Sequence, residues 1–544
     1  MLLAAALLVF FLGAPTLAHA KAGLDSTDSS APNASALDAS ANPETPAASD
    51  APAPEFTELS ELSGKRFGNL TGSVFDAMID EHIADHGEIL SFATPSDLAA
   101  ALTSGKIDAY VLDEPVSVLC IARNSGIALM PTTLEDTDYG FFFPKGSPLT
   151  REFNSVLERF WEDGTIDTLR EKWVVSADDA AKVIAAQDWD APNGTLTMAT
   201  APVYEPMSYM GPNNQIVGYD LELAYLVCKE LGYRLVPTSY TIDGIISAVE
   251  SGKADFGGTG TTITEERKQK VDFSTPIYKG AVVVSVRDVN ATNTGSGFLD
   301  GLSESFRRTF VVEDRWRMVL AGLGVTVLIS VAAAVLGCAL GFLLTFARRT
   351  SSRVDKVVGG FQTLMGGLPI VVVLMILYYI VFGAIDIPGV LVAIIGFALS
   401  FGAAASANIW NAVQAIDAGQ NEAALALGYS KQESFRKVVL PQAAQQFIPL
   451  LLGQMVSLVK ETSIVGYIAV QDLTRASDLI RARTLEAFFP LIATAIIYFA
   501  ICWLLLKVGR RVVERWDPEK RPRTIEGVNL DPEKRPRTLE GVKP

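Results

Sequence analysis

Beyond Arg317 the chain holds five apolar runs, at about 318–346, 360–383, 388–412, 445–469 and 487–507. Each is long enough to cross the roughly 30 Å hydrocarbon core of a bilayer as a helix. In lipid a backbone has no water to bond with, so a spanning segment must satisfy its own N–H and C=O groups, and a helix does so within itself. The runs therefore predict an all-α transmembrane domain of five helices over 318–510. Basic residues set its direction. The loop at 347–359 carries Arg348, Arg349, Arg353 and Lys356, the stretch after 507 is strongly basic, and 384–387 has no base. By the positive-inside rule the basic loops face the cytoplasm. Everything before the first span is then extracytoplasmic, and the C-terminus is cytoplasmic. The connection at 470–486, with Arg475, Arg481 and Arg483, departs from the rule because it falls on the outer side.

The net charge of −16 is an average over these two environments. Residues 21–300 hold 42 acids and 19 bases, whereas 301–544 hold 19 acids and 26 bases. An acidic outer half argues against a nucleic-acid partner, which would need a basic footprint. Three His and four scattered Cys give neither a metal cage nor a disulfide framework, so no metal and no cofactor is expected. Cys120 and Cys228 read as free buried thiols, and Cys338 and Cys502 as small apolar residues within spans.

The outer half is itself divided. Leu2–Leu12 followed by Ala18-His19-Ala20 reads as a signal peptide over 1–20. Residues 21–56 are Ala, Ser, Asp and Pro with almost no large apolar residue, the composition of a disordered linker. From 57 to 290, β-branched runs (Ile107–Leu112, Leu196–Ala199, Ala281–Val286) alternate with amphipathic stretches (Leu149–Trp161, Asp220–Leu231), which predicts a soluble α/β domain. Residues 291–317 read as a linker with an amphipathic stretch on the outer membrane surface, built from Phe306, Phe310 and Trp316 with Arg307, Arg308, Arg315 and Arg317. The basic tail at 511–544 contains a 14-residue tandem repeat, DPEKRPRTIEGVNL then DPEKRPRTLEGVKP.

Between the third and fourth runs stands EAALALGYSKQESFRKVVLPQA: Glu422-Ala423-Ala424, then Gly428, then Leu440-Pro441. An Ala-rich helix, a Gly break, a second amphipathic turn and a Pro stop would make two short helices along the membrane face. This spacing resembles the EAA loop of ABC importer permeases. With Thr326, Gly367-Leu368-Pro369, Gly419-Gln420 and Lys460-Glu461-Thr462-Ser463, the stretch 300–510 resembles the polar amino-acid (His/Glu/Gln/Arg) permease family. The resemblance implies that the loop docks onto an ABC ATPase subunit, with Glu422 and Arg436 on the rim and Ala423 and Ala424 allowing close approach. It also implies a second permease subunit, a copy of this chain, and a homodimeric ATPase. Span two reads Met365-Gly366-Gly367-Leu368-Pro369, without the positive charge usual in that family. Lys460 and Glu461, costly within a span unless paired or facing a cavity, belong either to the translocation path or to an interhelical pairing. No GxxxxGK[ST] loop occurs, so ATP hydrolysis is expected on a separate chain and this one is not an enzyme.

Residues 195–290 (LTMATAPVYEPMSY, VGYDLELAYLVCKELGY, KADFGGTGTTITEERKQKVDFSTPIY) resemble lobe one of the family 3 solute-binding proteins. Residues 57–175 (SGKRFGNLTGS, KIDAYVLDEPV, GFFFPKGSPL, EDGTIDTLREKW) resemble lobe two. The order is exchanged, and 176–194 would join the usual C-terminus to the usual N-terminus. Either a permuted domain or two decayed tandem domains would give this. The resemblance implies a two-lobe periplasmic-binding-protein fold with an amino-acid ligand in its cleft. Arg267 would grip the carboxylate bidentately, with Thr262 and the backbone of Gly260 as further donors. Asp113 would hold the ammonium, Thr71, Gly72 and Ser73 would donate from lobe two, and Tyr204 would form an aromatic wall. Ile242 stands in a second aromatic slot and Ala201 in place of a frequent acid, which slightly favours an uncharged ligand side chain. Together these readings describe the binding and membrane subunit of an amino-acid importer. The alternative, a ligand-binding membrane receptor or channel for amino acids, would share the domain and the spans but gives no account of the EAA spacing.

Overall fold

The computed structural model describes residues 52–176, 178–211, 214–291, 298–383, 385, 387–516, 523–525 and 528–530. The expected signal peptide, residues 21–51 of the linker and all but six residues of the tandem repeat lie outside the described residues.

Strands β1 (Phe67–Leu70), β2 (Ile89–Phe92) and β3 (Ala109–Asp113) pair in parallel. They alternate with helices α1 (Phe75–His82), α2 (Pro95–Thr103) and α3 (Glu114–Arg123). All five residues of β3 are buried, as expected for a central strand covered on both faces. Thr94 caps α2 by accepting from Asp97 N, and Pro95 stands in its first turn. The long β4 (Ile127–Tyr139) brings the chain to Gly140, after which β5 (Phe142–Pro144) enters a different sheet. In Gly140-Phe141-Phe142-Phe143 the strand period of two sends Phe141 and Phe143 into one core and Phe142 into another. Phe141 and Phe143 meet Phe153 and Phe256 with ring centroids 5.0–6.1 Å apart. Phe153 comes from α4 (Leu149–Glu162), whose buried Phe153, Val156, Leu157 and Phe160 form one helical stripe.

The second sheet has the order β10-β6-β11-β5-β12, with β6 (Thr195–Thr200), β10 (Arg234–Ser239), β11 (Phe256–Gly257) and β12 (Val271–Phe273). A small antiparallel sheet of β7 (Val203–Tyr204), β8 (Ser208–Met210) and β9 (Ile216–Val217) leads into α5 (Tyr219–Glu230). Helix α6 (Glu265–Lys270) precedes β12, and β13 (Tyr278–Arg287) then returns to the first sheet between β3 and β4. These pairings correct the lobe boundaries expected at 57–175 and 195–290. Residues after 140 join the second sheet and residues after 278 the first, because β5 pairs with β12 (Phe142 opposite Phe273) and β13 with β3 (Val284 opposite Val111). The two crossings lie side by side: Ile277 N donates to Tyr139 O at 2.8 Å, and Ser274 N to Phe141 O at 2.8 Å.

Among the described residues of the C-terminal half, four helices are long and apolar enough to cross a membrane: Trp316–Arg348 (α7), Gly389–Gln414, the helical run Lys431–Ile468 and Phe489–Arg511. A fifth span exists only if the bent pair is counted as one: α8 (Ser352–Gly367) and the segment Ile370–Val381, which begins as α9 (Ile370–Met375), meet at 105°. The expected straight run over 360–383 is therefore broken. Pro369 lacks an N–H and disfavours helical geometry at Leu368, so the helix stops there and restarts. The remaining helices are α10 (Gly389–Gln414), α11 (Ala418–Ala426), α12 (Leu440–Glu461), α13 (Leu473–Thr484) and α14 (Phe489–Trp516). The residues expected to lie on the membrane surface instead turn partly inward. Arg315 is buried, pairing with Glu313 at 2.7 Å, and Phe310 packs between Phe306 and Phe489.

Candidate functional site

The C-terminal end of β3 delivers Asp113 to the seam between the sheets, beside a small cavity also lined by Ser73, Tyr204, Gly260, Thr262 and Arg267. Asp113 is 2 % exposed. It accepts hydroxyl hydrogen bonds from Tyr139 (2.6 Å) and from Tyr204, which reaches across from the small sheet. Burial pushes its carboxyl up to about 6. Opposite stands Arg267 on α6, whose Nη1 donates to Thr262 O (3.1 Å) and Nη2 to Gly72 O (3.3 Å). Among the described residues Arg267 forms no ion pair, and its guanidinium has five N–H donors, so capacity remains for an anion. The rest of the lining is apolar and includes Leu70, Val74, Phe75, Ile242 and Ile245.

Two expected contacts are arranged differently. Thr71 does not line this cavity: its hydroxyl donates to Phe92 O at 3.2 Å, and it faces an adjoining cavity. Gly260 lines the site, but its N–H donates to Asp220 Oδ2 at 2.6 Å rather than pointing free. A buried carboxylate must be met by donors, and Asp220, 1 % exposed, takes this one. Burial pushes Asp220 up to about 7. Sequence reading did not single out Asp220 or Tyr139. The signal for Asp220 was an acid in the first turn of α5 on the same face as the apolar Leu223 and Ala224.

The arginines of the 470–486 connection meet the α/β domain. Helix α13, between the last two spans, sends Arg481 to Asp97 on α2 and Arg475 to the carbonyl of Tyr240. Arg483 Nη1 donates to Glu205 Oε1 at 2.5 Å and Nη2 to Glu313 Oε1 at 3.0 Å. Glu205, 5 % exposed, also binds Arg123 of α3 through both oxygens at 2.8 and 2.9 Å. One carboxylate thus answers two guanidiniums. Removing one member of a buried ion cluster strands the others and typically costs about 3–5 kcal/mol. Glu205→Gln is expected to lower the unfolding free energy of the full chain by about 3 kcal/mol in denaturant titration; an unchanged midpoint would contradict this reading of the cluster.

At the opposite end, α11 carries exposed Glu422 and Ala423 with buried Ala424. Gly428 adopts φ +88, a left-handed conformation that turns the chain after the helix. Ser430 and Glu433 then form a capping box that starts Lys431–Ser434. Leu427 is 80 % exposed beside exposed Leu425 and Tyr429. The expected Pro stop is instead a Pro start: Pro441 stands in the first turn of α12, where its missing N–H costs nothing, and the helix runs on through Leu440 and Pro441. Arg349 lies 3.9 Å over the Phe435 ring and anchors the loop to the end of α7. Lys460 and Glu461 are exposed at the end of α12 and form no ion pair among the described residues.

A two-sheet cleft closed by lobes that cross twice, joined to a bundle of apolar helices, defines a solute-binding domain on a membrane domain. Residues 196–460 match the bacterial extracellular solute-binding proteins, family 3. The arginine transport system permease protein ArtQ of Bacillus subtilis is 32% identical over 200 residues, covering 36% of this chain and 90% of that protein. The L-cystine transport system permease protein TcyB of Bacillus subtilis is 32% identical over 214 residues, covering 38% and 90%. A permease protein of Rickettsia typhi named for glutamine transport is 30% identical over 202 residues, covering 36% and 91%. A solved amino acid ABC transporter aligns with 26% identity over 41% of this chain and 100% of its own, at a TM-score of 0.36. The chain belongs to the polar amino-acid permease family of ABC transporters, with a family 3 solute-binding domain fused ahead of the permease.

Proposed function

We propose that this chain captures an amino acid outside the cell in its own binding domain and conducts it inward, as the binding and membrane subunit of an importer driven by a separate ATPase. The observation that carries the reading is the pair facing the cleft: a guanidinium with no ion-pair partner among the described residues and a buried carboxylate opposite it, the complement of a zwitterion. Arg267 takes the carboxylate and Asp113 the ammonium, with Thr262, Ser73 and the Gly72 turn bordering them and Tyr204 as the wall. The binding domain contacts the 382–385 and 470–486 connections through Lys253 and Arg475, while the Glu422–Pro441 loop gathers with Arg348 and Arg349 at the other end. This separation supports an outward binding domain, an inward coupling loop and C-terminus, and five spans with the bent pair counted as one. Sheet pairing within one chain gives one cleft per chain, as both a permuted domain and two decayed tandem domains would. A permease dimer of two copies and a homodimeric ATPase complete the assembly.

Among the residues lining the cleft, Asp113 is the only acid, and it is committed to the ammonium. An uncharged polar side chain such as that of glutamine fits this lining better than a guanidinium would. Calorimetry of the full chain with L-glutamine, L-arginine and L-cystine tests the reading, glutamine being expected to bind tightest. Silence with all three would overturn it.

The same carboxylate predicts a pH dependence. An acid whose folded pKa is raised holds its proton more tightly when folded, so the ligand-free domain loses stability as pH climbs from about 4 through about 6 for Asp113, and on through about 7 for Asp220. A bound ammonium favours ionised Asp113, so binding below its pKa must expel a proton. Affinity is expected to weaken about tenfold per pH unit below pH 6 and to level off above 7, measured by titration calorimetry across pH 5–8. A flat profile would remove Asp113 from the ammonium role.

A further inference from the structure

Directly beside the cleft, between the binding domain and the permease, lies a second cavity of about 150 Å³. Ile242 lines both cavities and forms their common wall. The lips of the two lobes meet here: a Cβ built on Gly72 would fall 2.6 Å from Asp243 Cβ, and Gly72 O receives the Arg267 bond that ties the lobes together. This second cavity therefore adjoins the cleft at the lips of the lobes. Its floor is the turn Thr462–Ile468, which ends the fourth span and contributes Ser463 and Tyr467.

The polar lining has the composition of a receptor for a zwitterion. Arg475, 7 % exposed, spends Nη2 on the carbonyl of Tyr240 and forms no ion pair among the described residues. Asp478 stands one helical turn away on α13, where its Oδ1 accepts from Arg481 Nη1 at 3.2 Å and its other oxygen remains, and Asp243 is exposed on the opposite wall with no ion pair among the described residues. Thr241 Oγ1 is buried here without a hydrogen-bond partner among the described residues. A buried unsatisfied hydroxyl is costly unless something visits it. We propose that this cavity is a second amino-acid site, a transit site in which Arg475 receives the carboxylate and Asp243 with Asp478 the ammonium of a molecule released from the cleft. The proposal rests on the importer reading above.

The test uses the full chain with its co-purified ATPase in proteoliposomes, and radiolabelled L-glutamine, L-arginine and L-cystine. Arg475→Met is expected to leave equilibrium binding by the cleft within twofold and to lower uptake at least tenfold, with Arg475→Lys recovering part of it. Asp243→Asn, on an exposed side chain and so safe for folding, is expected to lower uptake about fivefold. A readout independent of transport separates a transit site from a merely structural arginine: millimolar amino acid should slow modification of Ser463→Cys by a charged methanethiosulfonate reagent, and Arg475→Met should abolish that protection. Unchanged uptake in both variants with binding intact, or no protection of Ser463→Cys, would overturn the proposal. If the unaltered chain neither binds nor transports any of the three, the importer reading itself fails and takes this site with it.

Discussion

Arg267→Ala is expected to weaken amino-acid binding at least a hundredfold. The guanidinium faces the cavity between Thr262 O and Gly72 O, and alanine removes both the counter-charge for the ligand carboxylate and the tie from lobe to lobe. Truncating one partner of a buried charged pair costs about 2–5 kcal/mol, because the remaining charge is left desolvated and unanswered. Arg267→Lys keeps the charge but not the planar fork, so an intermediate loss is expected. A stability effect can be told apart by thermal unfolding of the ligand-free chain, where alanine loses two hydrogen bonds but no ion pair among the described residues, so the shift should be small beside the loss of affinity. Equal affinity in Arg267→Ala and the unaltered chain would remove this residue from the site.

The second large effect is expected at the other end of the molecule. Glu422→Lys reverses a charge on the exposed face of α11, next to exposed Leu425, Leu427 and Tyr429. Gly428→Pro is incompatible with φ +88, since proline holds φ near −65°, so the angle between α11 and the next turn must change. Both variants should keep full amino-acid affinity, because the cleft is at the opposite end of the helices, and lose at least ten-fold in ATP-driven uptake together with co-purification of the ATPase. The inner packing limits the damage to the docking face: Ala424 is buried, and Ser434 Oγ donates to Asn421 Oδ1 at 2.7 Å. Retention of both uptake and ATPase association in the two variants would show that the loop does not transmit ATPase closure.

Residue types with strong local chemistry were legible in the sequence, and long-range pairings were not. Asp113, Tyr204, Arg267, Thr262 and Ser73, each singled out from its motif, line one cavity. Thr71 and the N–H of Gly260 are engaged elsewhere because a nearby carbonyl and the buried Asp220 compete for them, a contest that spacing alone cannot decide. The partition of the lobes depends on β5 meeting β12 and β13 meeting β3 across more than a hundred residues, which no local pattern encodes. Pro369 and Pro441 look alike in sequence, yet Pro369 separates two helices that meet at 105° while the helical run Lys431–Ile468 continues past Pro441, which stands in the first turn of α12. The arginines of 470–486 looked like a breach of the charge rule. Their partners, Asp97, Glu205 and the Tyr240 carbonyl, lie in a domain more than two hundred residues earlier in the chain.

ATP-driven uptake by proteoliposomes that contain only this chain and its co-purified ATPase, with no free binding protein added, tests the central claim most directly. Capture and conduction on one chain predict accumulation of at least one of L-glutamine, L-arginine and L-cystine, abolished by Arg267→Ala. Uptake that appears only when a separate binding protein is supplied, or that survives Arg267→Ala unchanged, would contradict it.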